Sequence, residues 1–232
     1  MTEMQTASNY TFSGAKLETL GSTEYTLATL IVDVSGSVSS YKTELENAMQ
    51  TVLDACKKFP RSESIMLRAT TFDDNITELH GFQALNDVLP TNIVTRGSTA
   101  LYDATLEGIE ATQQYAKVLD SQDFATNGII FIITDGGDNA SRFKPKDVKK
   151  AIDNIKSKEL MVDIKVILIG VNDSGCSQYL DKFKNEANLD DYVSIGQATP
   201  ASLAKLAKFI SRSISSSSQT LATKSPSQLL TF

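Results

Sequence analysis

The chain has 232 residues, 41% of them hydrophobic and 22% charged, and a formal net charge of −6. That size and composition suit one globular domain with tails. The acidic balance argues against nonspecific nucleic-acid binding, which needs a basic surface. The two cysteines, Cys56 and Cys176, give neither a disulfide framework nor zinc-ligand spacing.

Residues 1–24 are polar with scattered apolar side chains, among them Tyr10, Phe12, Leu17 and Leu20. They read as an irregular arm on the domain edge, although alternation at Tyr10-Thr11-Phe12 allows a short strand. Met1 to Ser13 lack a basic region followed by an apolar core, so no signal peptide and no membrane span are expected. The expected setting is cytoplasmic. The Asn-x-Ser/Thr sequences at Asn9, Asn75, Asn139 and Asn172 then read as chance in a Ser/Thr/Asn-rich chain.

An apolar, β-branched run from Leu27 to Val32 predicts a strand over 26–34, buried on both faces. Ser39 and Ser40 are placed to cap a helix over 40–58, whose apolar residues recur at three- and four-residue spacing. Cys56 falls on its core side. A strand over 64–73 turns at Asp74-Asn75 and returns antiparallel over 76–79. Asp73 and Asp74 read as turn residues rather than ligands. His80, the single histidine, is expected exposed on that edge strand. A connector leads to Arg96-Gly97-Ser98-Thr99 and a helix over 100–119. A second fully buried strand, 127–134, ends at Asp135-Gly136-Gly137-Asp138-Asn139. Pro145 opens a helix over 145–158. Then follow a strand over 162–171, a helix over 175–187, a short edge strand over 191–195 and a helix over 200–214.

Strands alternating with helices predict a three-layer, doubly wound α/β fold with a mostly parallel six-stranded sheet and one antiparallel edge strand. The expected organisation is an arm over 1–24, a domain over 25–214 and a flexible Ser-rich tail over 215–232. The tail ends Leu229-Leu230-Thr231-Phe232, which reads as a frayed end or as a docking peptide.

In an extended chain Asp33, Ser35 and Ser37 point the same way, at the carboxyl end of a buried strand. Ligands bind at that end of open α/β sheets. Three hard oxygens, one a carboxylate, suit a divalent cation such as Mg²⁺. For these three residues alone, helix capping explains the pattern as well.

Asp-x-Ser-x-Ser at the end of a buried strand, followed in order by Gly97-Ser98-Thr99 and Thr134-Asp135-Gly136, resembles the metal-ion-dependent adhesion site of von Willebrand factor type A domains. The resemblance covers roughly residues 25–214. It implies that Ser35, Ser37 and Thr99 offer hydroxyl oxygens to Mg²⁺, or to Mn²⁺ or Ca²⁺. It implies that Asp33 and Asp135 act wholly or partly through water. A partner protein's Asp or Glu would complete the coordination. In some relatives ligation moves the last helix, which here would couple the rim to residues 200–214. The second loop departs mildly from the family's frequent Gly-Gly-Thr. Arg96 adds a cation, expected to pair with Asp138, to meet an acidic ligand or to face solvent. Asp138 reads as an acceptor behind the site or as a turn residue. Asp103 reads as a brace for a site residue or as a plain helix-start charge.

The function expected is a metal-dependent protein-interaction module, not an enzyme, working alone or inside a larger assembly. The rivals are a Mg²⁺-dependent phosphotransferase or hydrolase and a metal-free scaffold. No P-loop and no dinucleotide fingerprint occurs. A Ser-His-Asp triad would have to use His80, on a hairpin away from the rim.

Overall fold

Strands at Glu24–Asp33 and Ala125–Thr134 run side by side at the centre of the sheet and are buried along almost their whole length. This computed structural model describes residues 1–90, 92–223 and 230–232. In chain order the elements are β1 (Thr2–Gln5), β2 (Thr11–Gly14), β3 (Glu24–Asp33), α1 (Lys42–Lys57), β4 (Ile65–Phe72), β5 (Ile76–Ala84), α2 (Leu101–Asp120), β6 (Ala125–Thr134), α3 (Pro145–Ser157), β7 (Ile164–Gly170), α4 (Ser177–Ala187), β8 (Asp191–Ser194) and α5 (Pro200–Thr223). The spatial strand order is β1-β2-β5-β4-β3-β6-β7-β8. Strands β4, β3, β6, β7 and β8 are parallel; β5 is antiparallel to β4.

The alternation of side chains along a strand, with both faces covered, explains why the central runs are mainly apolar at odd and even positions alike. Ala28, Leu30 and Val32 of β3 face α1 and α5, against Leu45, Val52, Leu206 and Ile210. Ile31 of β3 and Ile130 and Ile132 of β6 face the opposite layer, against Ile109, Val148, Ile152 and Leu180 of α2, α3 and α4. Gly108 lets α2 come close to β3, since a Cβ there would lie 2.4 Å from Ile31 Cδ1. From β3 the chain moves to β4 on one side, and β6 later pairs on the other. The carboxyl end of β3 is therefore the topological switch point, where such sheets open a crevice.

The doubly wound sheet is as expected, but among the described residues it has eight strands rather than six. The extra pair is the N-terminal segment, which is a hairpin and not an irregular arm. β1 pairs antiparallel with β2, and β2 joins β5 in parallel at Gly14 and Phe82. Phe12 and Phe82 sit in an apolar cluster with Tyr25 and Tyr115. The Phe82 and Tyr115 rings stack at 4.9 Å. Below them lies a buried ion network. Arg68 and Glu107, each 1% exposed, meet through two hydrogen bonds of 3.1 and 2.5 Å. Arg68 also reaches Glu78 at 3.1 Å, and Glu78 accepts hydrogen bonds from the Ser13 amide and hydroxyl.

Three further expectations are corrected. The last helix does not stop at 214: it runs to Thr223, with Ser211, Ser213, Ser217, Ser218 and Leu221 buried. The Asn127 amide donates to the carbonyl of Ser217 at 2.6 Å and to its hydroxyl at 3.0 Å. Serine's modest helix penalty is overridden by that packing. Of the expected tail, residues 224–229, and with them the start of the terminal apolar motif at Leu229, lie outside the described residues. Phe232 packs edge-on against Phe209, with Lys205 Nζ 4.2 Å from its ring centre. Ser39 and Ser40 do not cap α1; they belong to a 3₁₀ turn, Gly36–Tyr41, and bond back to Gly36 and Ser37 carbonyls. Nor is His80 exposed. It is half-buried opposite Ala69 in mid-sheet, with Nδ1 3.0 Å from the Gly81 carbonyl, and burial holds its pKa below the usual value.

Candidate metal centre

Three loops meet at the carboxyl rim. The first follows β3. Its Asp33 is 1% exposed, with Oδ1 accepting from the Ser35 amide at 2.8 Å and Oδ2 from the Thr134 hydroxyl at 2.6 Å. Ser35 is buried, whereas Ser37 stands exposed. Their hydroxyls lie 3.2 Å apart, and Ser37 Oγ donates to Asp135 Oδ1 at 2.8 Å. Asp135 comes from the third loop, after β6, and is half-buried. Four of the five expected residues thus form one chain of oxygens, Asp33 joining it through the backbone of Ser35.

Thr99, the fifth, is buried at the end of the second loop and is placed by backbone contacts. Its amide donates to Asn139 Oδ1 at 2.8 Å, and its carbonyl accepts from the amides of Asn139 and Ala140 at 3.0 and 3.2 Å. The second loop is in turn fastened to the first: the Arg96 amide donates to the Val34 carbonyl at 2.8 Å, and that of Gly36 to the Gly97 carbonyl at 3.3 Å. Gly97 has φ +71°, and a Cβ there would lie 2.2 Å from Asp74 Oδ1, so glycine is required twice over.

Burial, with the Asp135 charge added, pushes the Asp33 carboxyl up to about 6, against the hydrogen bonds from Thr134 and Ser35. Burial and the nearby Asp135 and Asp33 carboxylates likewise push up the Tyr41 phenol. Among the described residues no ion pair joins Asp33 or Asp135 to a Lys, Arg or His side chain. Arg96, the cation beside the site, pairs with Asp73 at 3.0 Å and not with Asp138. Burial opposes ionisation of Asp73, but the Asn75 amide and Arg96 outweigh it and hold its carboxyl below the usual range.

Asp138 lies beside the start of α2, 3.5 Å from the Tyr102 amide. Asp103 is more than a bare helix charge, but it braces the loop before α3 and the N-terminal hairpin rather than a site residue: it accepts from the Phe143 amide at 2.9 Å, from Arg142 Nε at 3.3 Å and from the Tyr10 hydroxyl at 3.4 Å. Thr134, Asn139, Ser141 and Tyr41 were missed as supports. Ser141 Oγ accepts from the amides of Tyr102 and Asp103 at 3.0 and 3.1 Å. The run of polar residues from Thr134 to Ser141 after a buried strand was the available signal.

Among the described residues no group of three or more His, Cys, Asp or Glu is arranged to hold a metal ion. The candidate set has two such side chains, Asp33 and Asp135; its other donors are hydroxyls. That all-oxygen set, with a desolvated carboxylate in it, fits a hard divalent cation.

A scan against protein-family models finds no match, and no curated protein matches the sequence significantly. Solved structures do match in shape. The PilB minor pilin from Streptococcus sanguinis, as its D319A mutant, superposes with a TM-score of 0.61 at 13% identity, over 90% of this chain and 65% of the pilin. The ArnB paralog VWA2 from Sulfolobus acidocaldarius gives 0.52 at 14% identity, over 83% of this chain and 46% of that one. Proximal thread matrix protein 1 from the mussel byssus, with a zinc-occupied MIDAS motif, gives 0.51 at 18% identity, over 82% and 46%. The fold is von Willebrand factor type A-like. The vWA-like chain spans less than two thirds of each of these neighbours, and at these identities the likeness is one of fold.

Proposed function

We propose that the rim of this vWA-like domain is a metal-ion-dependent adhesion site that binds a protein partner. Ser35, Ser37 and Thr99 would hold Mg²⁺, or Mn²⁺ or Ca²⁺, through their hydroxyls, with Asp33 and Asp135 acting directly or through water. When bound, the cation supplies a Lewis-acidic position that an Asp or Glu carboxylate of the partner completes. The observation that carries this reading is the contact of Ser35, Ser37 and Asp135 beside a buried Asp33 whose carboxyl is pushed up to about 6. A compensating cation removes the cost of burying that charge.

Fold neighbours that are a pilin and a byssus matrix protein agree with an interaction module, singly or in an assembly, more than with an enzyme. The single histidine sits in mid-sheet, away from the rim. Among the described residues no helix is long and apolar enough to cross a membrane. A cytoplasmic setting is part of the proposal, and fractionation of cells expressing the tagged chain checks it.

The test is paramagnetic. Substoichiometric Mn²⁺ added to the ¹⁵N-labelled chain should broaden the amides of Ser35, Ser37, Thr99 and Gly136 before all others, excess Mg²⁺ should reverse it, and Asp33→Asn should abolish it. Broadening spread over the acidic surface would refute the site. Pull-downs in Mg²⁺ and in EDTA then ask whether a partner depends on the metal.

A further inference from the structure

No Asp or Glu occurs after Asp191, although the chain as a whole carries a net charge of −6. Helix α5 lies wholly within that acid-free stretch. Its Lys205, Lys208 and Arg212 follow one another at three- and four-residue spacing, so they share one face of the helix over about 10 Å. All three are exposed. Among the described residues none of them enters an ion pair, whereas Lys149, Lys150 and Lys156 of the lysine-rich α3 all do. Along this stripe runs a cleft of about 190 Å³, lined by the three cations with Phe209, Leu230 and Phe232. Phe209 is buried and meets two rings edge-on: Phe131 of β6 at 6.4 Å between centres, and Phe232 at 5.7 Å. Lys205 Nζ stands 4.2 Å from the centre of the Phe232 ring. An aromatic position is thus already built, with an apolar surface against the ring and an ammonium over it. The segment that fills it, Leu230-Thr231-Phe232, brings no acidic side chain. Lys208 and Arg212 in the same cleft are left without an acid.

We infer that this face of α5 is a second docking surface, and that it takes a partner's peptide segment in which acidic side chains flank an aromatic one. Its lining shares no residue with the proposed metal site, so the inference stands or falls without the metal reading. Phe232 holds the place of the partner's aromatic side chain and is displaced by it. Charge complementarity selects the occupant: an acidic segment is attracted to the acid-free stretch and repelled by the acidic remainder of the chain. The position between Phe209 and Lys205 takes one ring, which favours a peptide over a lipid surface. A segment that supplies both ring and acids satisfies Lys208 and Arg212 as well, which the chain's own segment does not.

The test uses the full chain in EDTA, which keeps the peptide's acids from binding through a metal, and follows ¹H–¹⁵N spectra. The probes are acetyl-Glu-Asp-Phe-Asp-Glu-amide, its alanine counterpart acetyl-Glu-Asp-Ala-Asp-Glu-amide and its uncharged counterpart acetyl-Gln-Asn-Phe-Asn-Gln-amide. The first should shift the amides of Lys205, Lys208, Phe209 and Arg212. It should bind about tenfold more tightly than either counterpart, the size expected of one buried ring or of a few surface ion pairs. Phe232→Ala should tighten its binding about tenfold, the gain on removing an occupant present about nine-tenths of the time. The double variant Lys208→Gln/Arg212→Gln, at exposed positions, should lose the preference for acids. Equal affinities of the three peptides, shifts confined to other elements, or weaker binding by Phe232→Ala overturn the proposal. So does a dimer that Phe232→Ala dissolves, since the occupant is then a second copy's segment. Adsorption to phosphatidylserine vesicles without peptide binding overturns it as well.

Discussion

Cutting the ion pair beneath the N-terminal hairpin should be the most damaging single change outside the apolar core. Glu107 and Arg68 are each 1% exposed and doubly hydrogen-bonded, and burial pushes the Glu107 carboxyl up even against the guanidinium beside it. Glu107→Leu leaves Arg68 buried with Glu78, itself 20% exposed at its side chain, as its ionic partner among the described residues. Breaking a buried pair typically costs about 3–5 kcal/mol, because an uncompensated charge is left in the interior. The surviving Glu78 contact sets the expectation here at the lower end, about 3 kcal/mol. That is a large part of a domain's total stability of roughly 5–15 kcal/mol. Urea unfolding followed by circular dichroism measures it. The double variant Arg68→Met/Glu107→Leu should recover most of the loss, since well-packed apolar replacements of buried pairs are commonly neutral or better. A single-variant cost below about 1 kcal/mol, the size expected of a solvated pair, would refute the argument that this pair is desolvated.

Gly97→Ala should destabilise the rim by roughly 1–3 kcal/mol through its positive φ and the approach of Asp74, and should weaken Mn²⁺ broadening at Thr99. His80 is held neutral by burial, so its contribution is present above its unfolded pKa of about 6.5 and is lost as pH falls through the depressed folded value; His80→Phe should therefore flatten the loss of stability on acidification. Burial lifts the Cys56 thiol to about 12, whereas Cys176 is half-buried, so a thiol reagent should label Cys176 first and Cys56 only on unfolding. Asp33→Asn should remove the metal response yet raise metal-free stability, because it deletes a desolvated charge while keeping an acceptor for the Ser35 amide; a metal-free variant less stable than the parent would contradict this.

The parts of the molecule legible in the sequence are those whose signal is local. Leu27 to Val32 is apolar but for Thr29, and Ile129 to Ile133 is apolar throughout, as a strand buried on both faces requires. Asp33, Ser35, Ser37 and Asp135 could be proposed as site residues because they stand where such an element ends, and Thr99 because it stands just before a helix. The N-terminal hairpin was not legible because its ties are distant: Ser13 to Glu78, and the Ser8 amide and hydroxyl to Glu110. Serines 211–218 look like a linker until Asn127 and the sheet are beside them. The sequence offered Arg96 Asp138, an acidic ligand or solvent, and only the fold of the β4–β5 turn puts Asp73 within its reach.

The seams between the three loops bear on kinetics. Arg96 to Val34, Gly36 to Gly97 and Asn139 to Thr99 are joined by backbone or amide hydrogen bonds before anything is bound. Ordering a loop residue on binding would cost about 1–2 kcal/mol each, and here that ordering is already done. Association at this rim should then follow a single exponential whose rate rises linearly with ligand concentration, without a plateau from slow loop closure. Differences among ligands should appear in how long each stays.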